Sequence, residues 1–156
     1  MERSKVNIYT ECSVKAPQKH DGCCYYIIEF VTKDGTPITR DGMIKEPEAT
    51  EQQLTLEALT EAIKRLTRPC EIVVNTHSEY VFHNAGTYRY VMWQQAGWKN
   101  AKGSEVKNMD LWRKYAEAAG AQDHVISYEK DDHSYKNVMR AKVEKTAKIL
   151  REKGIS

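Results

Sequence analysis

Thiols, imidazoles and clustered cations are the groups in this sequence that could do chemistry. The four cysteines, Cys12, Cys23, Cys24 and Cys70, are too few for a disulfide scaffold. Their spacing fits no zinc pattern, so they read as reduced thiols packed in strands. His20, His83 and His124 have no partner visible along the chain and read as surface residues. Basic side chains gather in two places. Arg89, Lys99, Lys102 and Lys107 face only Glu105, and Lys136, Arg140, Lys142, Lys145, Lys148, Arg151 and Lys153 oppose only Glu144 and Glu152. Either patch suits salt-sensitive contacts with phosphate, or is simply a solvated helix face. Glu46, Glu48, Glu51, Glu57 and Glu61 form an acidic flank that works against such contacts.

These residues sit in a chain of 156, enough for one domain with a substantial core, expected over residues 1–156. Hydrophobic residues make up 40% and charged residues 29%, and the mean hydropathy is −0.69, which excludes a disordered or fibrous class. A net charge of +2 makes no global case for nucleic acid. The longest apolar stretch, Cys23 to Ile28, is far too short to span a bilayer. Met1 to Lys5 leads into an alternating segment without an apolar signal core, so the expected location is cytoplasmic, with no membrane partner.

Periodicity supplies the positioning elements. Lys5 to Glu11 alternates Val6, Ile8 and Thr10 against Asn7, Tyr9 and Glu11, a strand that puts Glu11 on the face of Asn7 and Tyr9. A polar break at Lys15 to Gly22 precedes a strand over Cys23 to Val31, and Lys33 to Thr36 turns it into a third from Pro37 to Ile44. Thr50 with Gln53 is a capping box, followed by a helical stripe of Thr55, Ala58, Leu59, Ala62, Ile63 and Leu66 ending before Pro69. Glu71 to Asn75 reads as a buried parallel strand. From Ser78 the chain is helical and aromatic, interrupted at Gly86 and Gly97; another helix opens at Asn108 to Asp110 and stops at Gly120. Val125 to Glu129 is a fifth strand, and a last helix runs from Ser134 to Arg151 with Met139, Val143, Thr146 and Leu150 on one face. The expected fold class is α/β: a five-stranded mixed sheet, three strands antiparallel and two parallel, flanked by helices.

That order and several segments resemble type 1 ribonuclease H, from about Val6 to Lys148. The resemblance is carried by Trp93-Gln94-Gln95-Ala96-Gly97-Trp98-Lys99 and Val106-Lys107-Asn108-Met109-Asp110-Leu111-Trp112, similar to the family's substrate-handling protrusion and following helix. Ile8 to Ser13, Thr76 to Val81 and His133 support it. The resemblance implies a ribonuclease H-like fold and a family that cleaves the RNA strand of an RNA/DNA hybrid with two divalent cations on four carboxylates. Two ions about 3.5–4 Å apart stabilise both the attacking and the leaving oxygen.

At the four acid positions the sequence carries Glu11, Thr55, His77 and, on the last helix, a residue between Ala141 and Val143, with Ala141 taken as the match. One carboxylate of the four is kept, and Cys12 replaces the glycine after the first. Mg²⁺ prefers carboxylate oxygens, so a hydroxyl and an imidazole do not restore its site. The resemblance places Ser13, Thr50, Gln52, Gln53, Ser78, Asn84, Trp93, Trp98, Lys99 and Lys102 on the nucleic-acid surface, while Gln94, Gln95 and Ala96 lack the lysines expected at the protrusion.

The expected function is a catalytically degenerate ribonuclease H-like domain that binds nucleic acid weakly, with an RNA/DNA hybrid or related duplex as partner and no cofactor. A second reading is an active hybrid endoribonuclease with a rebuilt site, using Mg²⁺ or Mn²⁺. Glu11, His77 and Glu144, with His133 in the loop, would be its ligands, and their mixed nitrogen and oxygen donors suit Mn²⁺, Fe²⁺ or Zn²⁺ better than Mg²⁺. Cys12 with His77 as a nucleophile and base finds no oxyanion donor. A third reading is a scaffold for a protein partner.

Overall fold

Alternation in the first third of the chain becomes three antiparallel strands, β1 (Ser4–Cys12), β2 (His20–Val31) and β3 (Pro37–Ala49). The computed structural model describes residues 3–14, 18–130 and 132–154; Lys15, Ala16 and Pro17 of the expected polar break lie outside them, as do Met1 and Glu2. The break is also shorter than expected, because His20 already pairs with Ala49 and the register slips between His20 and Gly22. A Cβ at Gly22 would lie 2.4 Å from Val14 Cγ2, so the backbone passes where no larger residue fits. β3 runs on through Pro47, which an edge strand tolerates because its outer N–H groups need no partner.

The capping box closes as expected: Thr50 Oγ1 accepts from Gln53 N at 3.2 Å and Gln53 Oε1 accepts from Thr50 N at 3.0 Å, starting α1 (Glu51–Lys64). β4 (Cys70–Asn75) follows and pairs parallel to β1, then α2 (Glu79–Gly86), α3 (Arg89–Gln95) and α4 (Met109–Gly120) lead to β5 (Val125–Glu129), parallel to β4. α5 (Lys136–Lys153) ends the order, and the sheet reads β3-β2-β1-β4-β5. Among the described residues no helix is long and apolar enough to cross a membrane.

The sheet is buried on both faces. Val6, Ile8, Cys24, Tyr26 and Ile28 point to α1, while Tyr9, Cys23, Tyr25 and Ile27 meet Met139, Val143 and Leu150 of α5. Thr146, expected in that stripe, is only half-buried, and Ala147 packs there instead. Trp112 ties the helical layer together. It is fully buried, stacks on Tyr90 at 5.8 Å, meets Trp93 edge-on at 5.6 Å and donates Nε1–H to Tyr80 Oη at 2.8 Å.

Candidate functional site

Glu11 ends β1 and His77 lies just beyond β4, so two neighbouring parallel strands deliver them to one crevice at their carboxyl ends, where open α/β sheets place their sites. α1 contributes Glu51 and Thr55 to the walls, and α5 contributes Lys136 and Arg140. The crevice encloses about 490 Å³.

Arg140 dominates it. Its Nη1 donates to Glu11 Oε2 at 2.9 Å and to the Cys12 carbonyl at 3.3 Å, and its Nε donates to Glu144 Oε1 at 3.2 Å. The Glu11 side chain is 13% exposed and that of Arg140 34%. The forked guanidinium thus bridges the carboxylate of the floor to a helix carboxylate. The packing of α5 dictates this: with Met139 and Val143 seated on the sheet, the row Lys136, Arg140 and Glu144 runs beside them, along the crevice.

The histidine loop is held differently. His133 lies against Tyr9 with ring centroids 4.3 Å apart, and Nδ1 is buried without a hydrogen-bond partner. Burial, then the neighbouring His77, pull its pKa below the usual imidazole value; Glu11 and Asp132 oppose them. Next to it, burial alone would raise the pKa of Glu29, but hydrogen bonds from Tyr135, Asn7 and Tyr9 outweigh that and hold it low. This network pins the start of α5, and so the position of Arg140.

The low imidazole pKa values make an acid-sensitive fold. Burial also lowers His124, which is not the surface residue expected: Nδ1 accepts from Cys70 N at 3.1 Å and Nε2 is buried without a partner. The unfolded chain binds protons at both rings near pH 6.5, where the native chain binds fewer. Stability is therefore present above that pH, falls as pH drops below it, and levels off once both rings are protonated in the native state. Thermal melts from about pH 8 to 5 are expected to show this fall, and His133→Gln should flatten it. An equal slope in the variant would discharge His133 from the effect.

The sequence model of the family described as RNase H matches residues 3–139. The chain belongs to the RNase H family. Among curated relatives, the ribonuclease H of Granulibacter bethesdensis is 44% identical over 78 residues, 50% of this chain and 51% of that one. The ribonuclease H of Gluconobacter oxydans is 42% identical over 74 residues, 47% and 49% of the two chains. The chain spans about half the length of these relatives. Solved structures agree on the fold. LC9-RNase H1, a type 1 RNase H with the type 2 active-site motif, has a TM-score of 0.74 at 19% identity, covering 95% of this chain and 74% of that one. The PFV RNase H domain has a TM-score of 0.64 at 24% identity and 93% coverage of both. A foamy viral protease-reverse transcriptase in complex with RNA/DNA hybrid has a TM-score of 0.65 at 16% identity over 87% of this chain and 19% of its own.

Within this RNase H fold, Glu11, Thr55 and His77, three of the four expected acid positions, line one crevice. The fourth does not. Ala141 is exposed and outside the lining, Val143 is buried in the core under α5, and the helix residue that faces Glu11 is Arg140. Glu144, expected among the ligands of a rebuilt site, instead receives Arg140 with a side chain 66% exposed. Among the described residues, no group of three or more His, Cys, Asp or Glu is placed to hold a metal ion. The donors that line the crevice are the Glu11 carboxylate, already engaged by a guanidinium, the Glu51 carboxylate of α1, a hydroxyl and an imidazole, which differs from the four-carboxylate set that the resemblance implies for two hard cations.

The expected nucleic-acid surface divides. Trp98 is 7% exposed and belongs to the core, so it is no surface contact. Its partner Trp93 is half-buried and lines a groove with Asn84, Arg89, Asn100 and Lys107. Lys99 and Lys102 are exposed. Thr50 and Gln53 spend their side chains on the capping box, and Ser78 caps α2 by accepting from Val81 N. Gln52 Oε1 is buried without a partner, and Ser13 Oγ accepts from Cys23 N. Glu46, Glu57 and Glu61 line a separate crevice with Lys64, Arg65 and Lys114, where burial and then Glu46 raise the pKa of Glu57.

Sequence reasoning missed Arg140 as a site residue and Glu29 as its support. The first was legible: a stripe through Met139 and Val143 puts position 140 one step around the helix, on the crevice side. Glu29 carried no such mark, because its partners Asn7, Tyr9 and Tyr135 come from two distant segments.

Proposed function

We propose that this RNase H-family domain holds a nucleic-acid duplex, an RNA/DNA hybrid foremost, without cleaving it. The observation that carries the reading is the Arg140 guanidinium on Glu11, at the end of β1 where the family gathers carboxylates around metal. With Lys136 at the same mouth, the crevice offers a phosphodiester fixed cations in place of exchangeable ones. The groove of Asn84, Arg89, Trp93 and Lys107, with Lys99 and Lys102 beyond it, offers a second place to hold the backbone and an aromatic face. The foamy viral protease-reverse transcriptase solved with RNA/DNA hybrid, and again with dsDNA, supports a nucleic-acid partner for this fold.

The test uses a labelled hybrid with Mg²⁺ or Mn²⁺. No cleavage is expected, together with binding that survives EDTA and weakens with salt. In Lys107→Ala or Arg89→Ala the slope of log K against log salt should fall by about 0.9 for each phosphate that the variant no longer neutralises. Cleavage abolished by Glu11→Ala would favour the rebuilt-site reading, and absence of binding at low salt would leave a protein-interaction scaffold.

A further inference from the structure

Two thiols meet across the strands beneath the crevice. Cys12 of β1 and Cys24 of β2 are direct partners in the antiparallel register. The neighbouring pair Ser13 and Cys23 is joined by Ser13 N–H donating to the Cys23 carbonyl at 2.9 Å, so Cys12 and Cys24 occupy the alternate, non-hydrogen-bonded site. Facing Cα atoms there approach to roughly 4.5 Å, with side chains closer than at hydrogen-bonded sites. A disulfide spans Cα separations of about 4.4–6.8 Å. Both side chains lie on the α1 face, Cys24 fully buried and Cys12 at the margin of the core, and both are free thiols. Cys12 also lines the crevice, where its Sγ lies 3.2 Å from Thr55 Oγ1. The other two thiols are elsewhere: Cys23 points to the α5 face, and Cys70 on β4 donates to the Arg68 carbonyl.

We propose that Cys12 and Cys24 form a thiol–disulfide modification site, with Cys12 the entry thiol, Cys24 the resolving thiol and a low-molecular-weight disulfide the oxidant. Cys12 gives its proton to solvent and its sulfur attacks one sulfur of the small disulfide. That S–S bond breaks, and one small thiolate leaves. Cys24 then loses its proton and attacks the Cys12 sulfur, forming the protein S–S bond as the second small thiolate departs and is protonated. The two protein thiols are oxidised by two electrons, and the small disulfide is reduced to two thiols. Formation of the protein disulfide draws Cys12 Sγ away from Thr55 and so alters the crevice floor. The inference stands independently of what the crevice binds.

The whole chain is incubated with oxidised glutathione, alkylated and mapped by peptide mass spectrometry, with circular dichroism confirming that it stays folded. Loss of the free Cys12 and Cys24 signals together, a peptide cross-linked between them, and recovery of both thiols with dithiothreitol are expected. Cys24→Ser should stop at a stable glutathione adduct on Cys12, and Cys12→Ser should give neither product. Cys23→Ser and Cys70→Ser should leave the cross-link intact. A persistent Cys12 adduct in the folded native sequence would overturn the proposal. So would a cross-link through Cys23 or Cys70, or two unreacted thiols under conditions that oxidise the chain in guanidinium.

Discussion

Thr55→Glu, His77→Asp and Arg140→Asp combined in one chain are expected to turn the crevice into a metal-requiring site. With Glu11 freed from its guanidinium, four carboxylates would share one end of the sheet and repel one another until a dication neutralises them. The variant should be less stable than the native chain in EDTA and regain stability with Mn²⁺. At one hundred times its dissociation constant a ligand of the native state adds about 2.7 kcal/mol, or roughly 5–10 °C in melting temperature for a chain of this size. The native sequence should show no such shift. Replacing Arg140→Asp by Ala141→Asp in the same background should fail, because Ala141 is exposed outside the crevice and Arg140 would still occupy Glu11. Hybrid cleavage by the first variant is a further expected gain. A Mn²⁺-dependent shift in the Ala141 version would refute the placement of α5.

Trp112→Ala carries the largest expected loss. Removing a fully buried tryptophan costs about 3–5 kcal/mol, against a total stability of about 5–15 kcal/mol for a domain. Here it also strips Tyr80 of its donor and leaves Tyr90, Trp93 and Tyr115 without their shared ring. Thermal melts should fall by roughly 10 °C or more. Trp112→Phe keeps a ring for Tyr90 to stack on but loses the bond from Nε1, so a loss of about 1–2 kcal/mol is expected. Equal losses for the two would mean that the hydrogen bond, and not the packing, sustains the helical layer.

Element order was open to reading because each element announces its period locally: alternation over Val6 to Glu11, a capping box at Thr50 and Gln53, and a β-branched run at Ile72 to Val74. Glu11 on the α5 face followed from parity within a single strand. What a strand's parity cannot give is the rotation of a distant helix. The resemblance puts the family's last acid at Ala141, whereas the seating of Met139 and Val143 on Tyr9, Cys23 and Tyr25 turns Arg140 inward. Trp98 misled for a related reason. Motif spacing says that a tryptophan is present, and only the return of Val106 N–H to the Trp98 carbonyl at 3.0 Å folds that segment back and carries the ring into the core.

The docking of α5 has a consequence for synthesis. This helix packs against β1 and β2, and the family match stops at residue 139, one position before Arg140. A ribosome makes β1, β2 and α1 well before this helix, so until α5 docks the Glu11 carboxylate has no Arg140 to meet and the β1–β2 face that the helix covers stays open. The guanidinium latch is the last part of the crevice to be made.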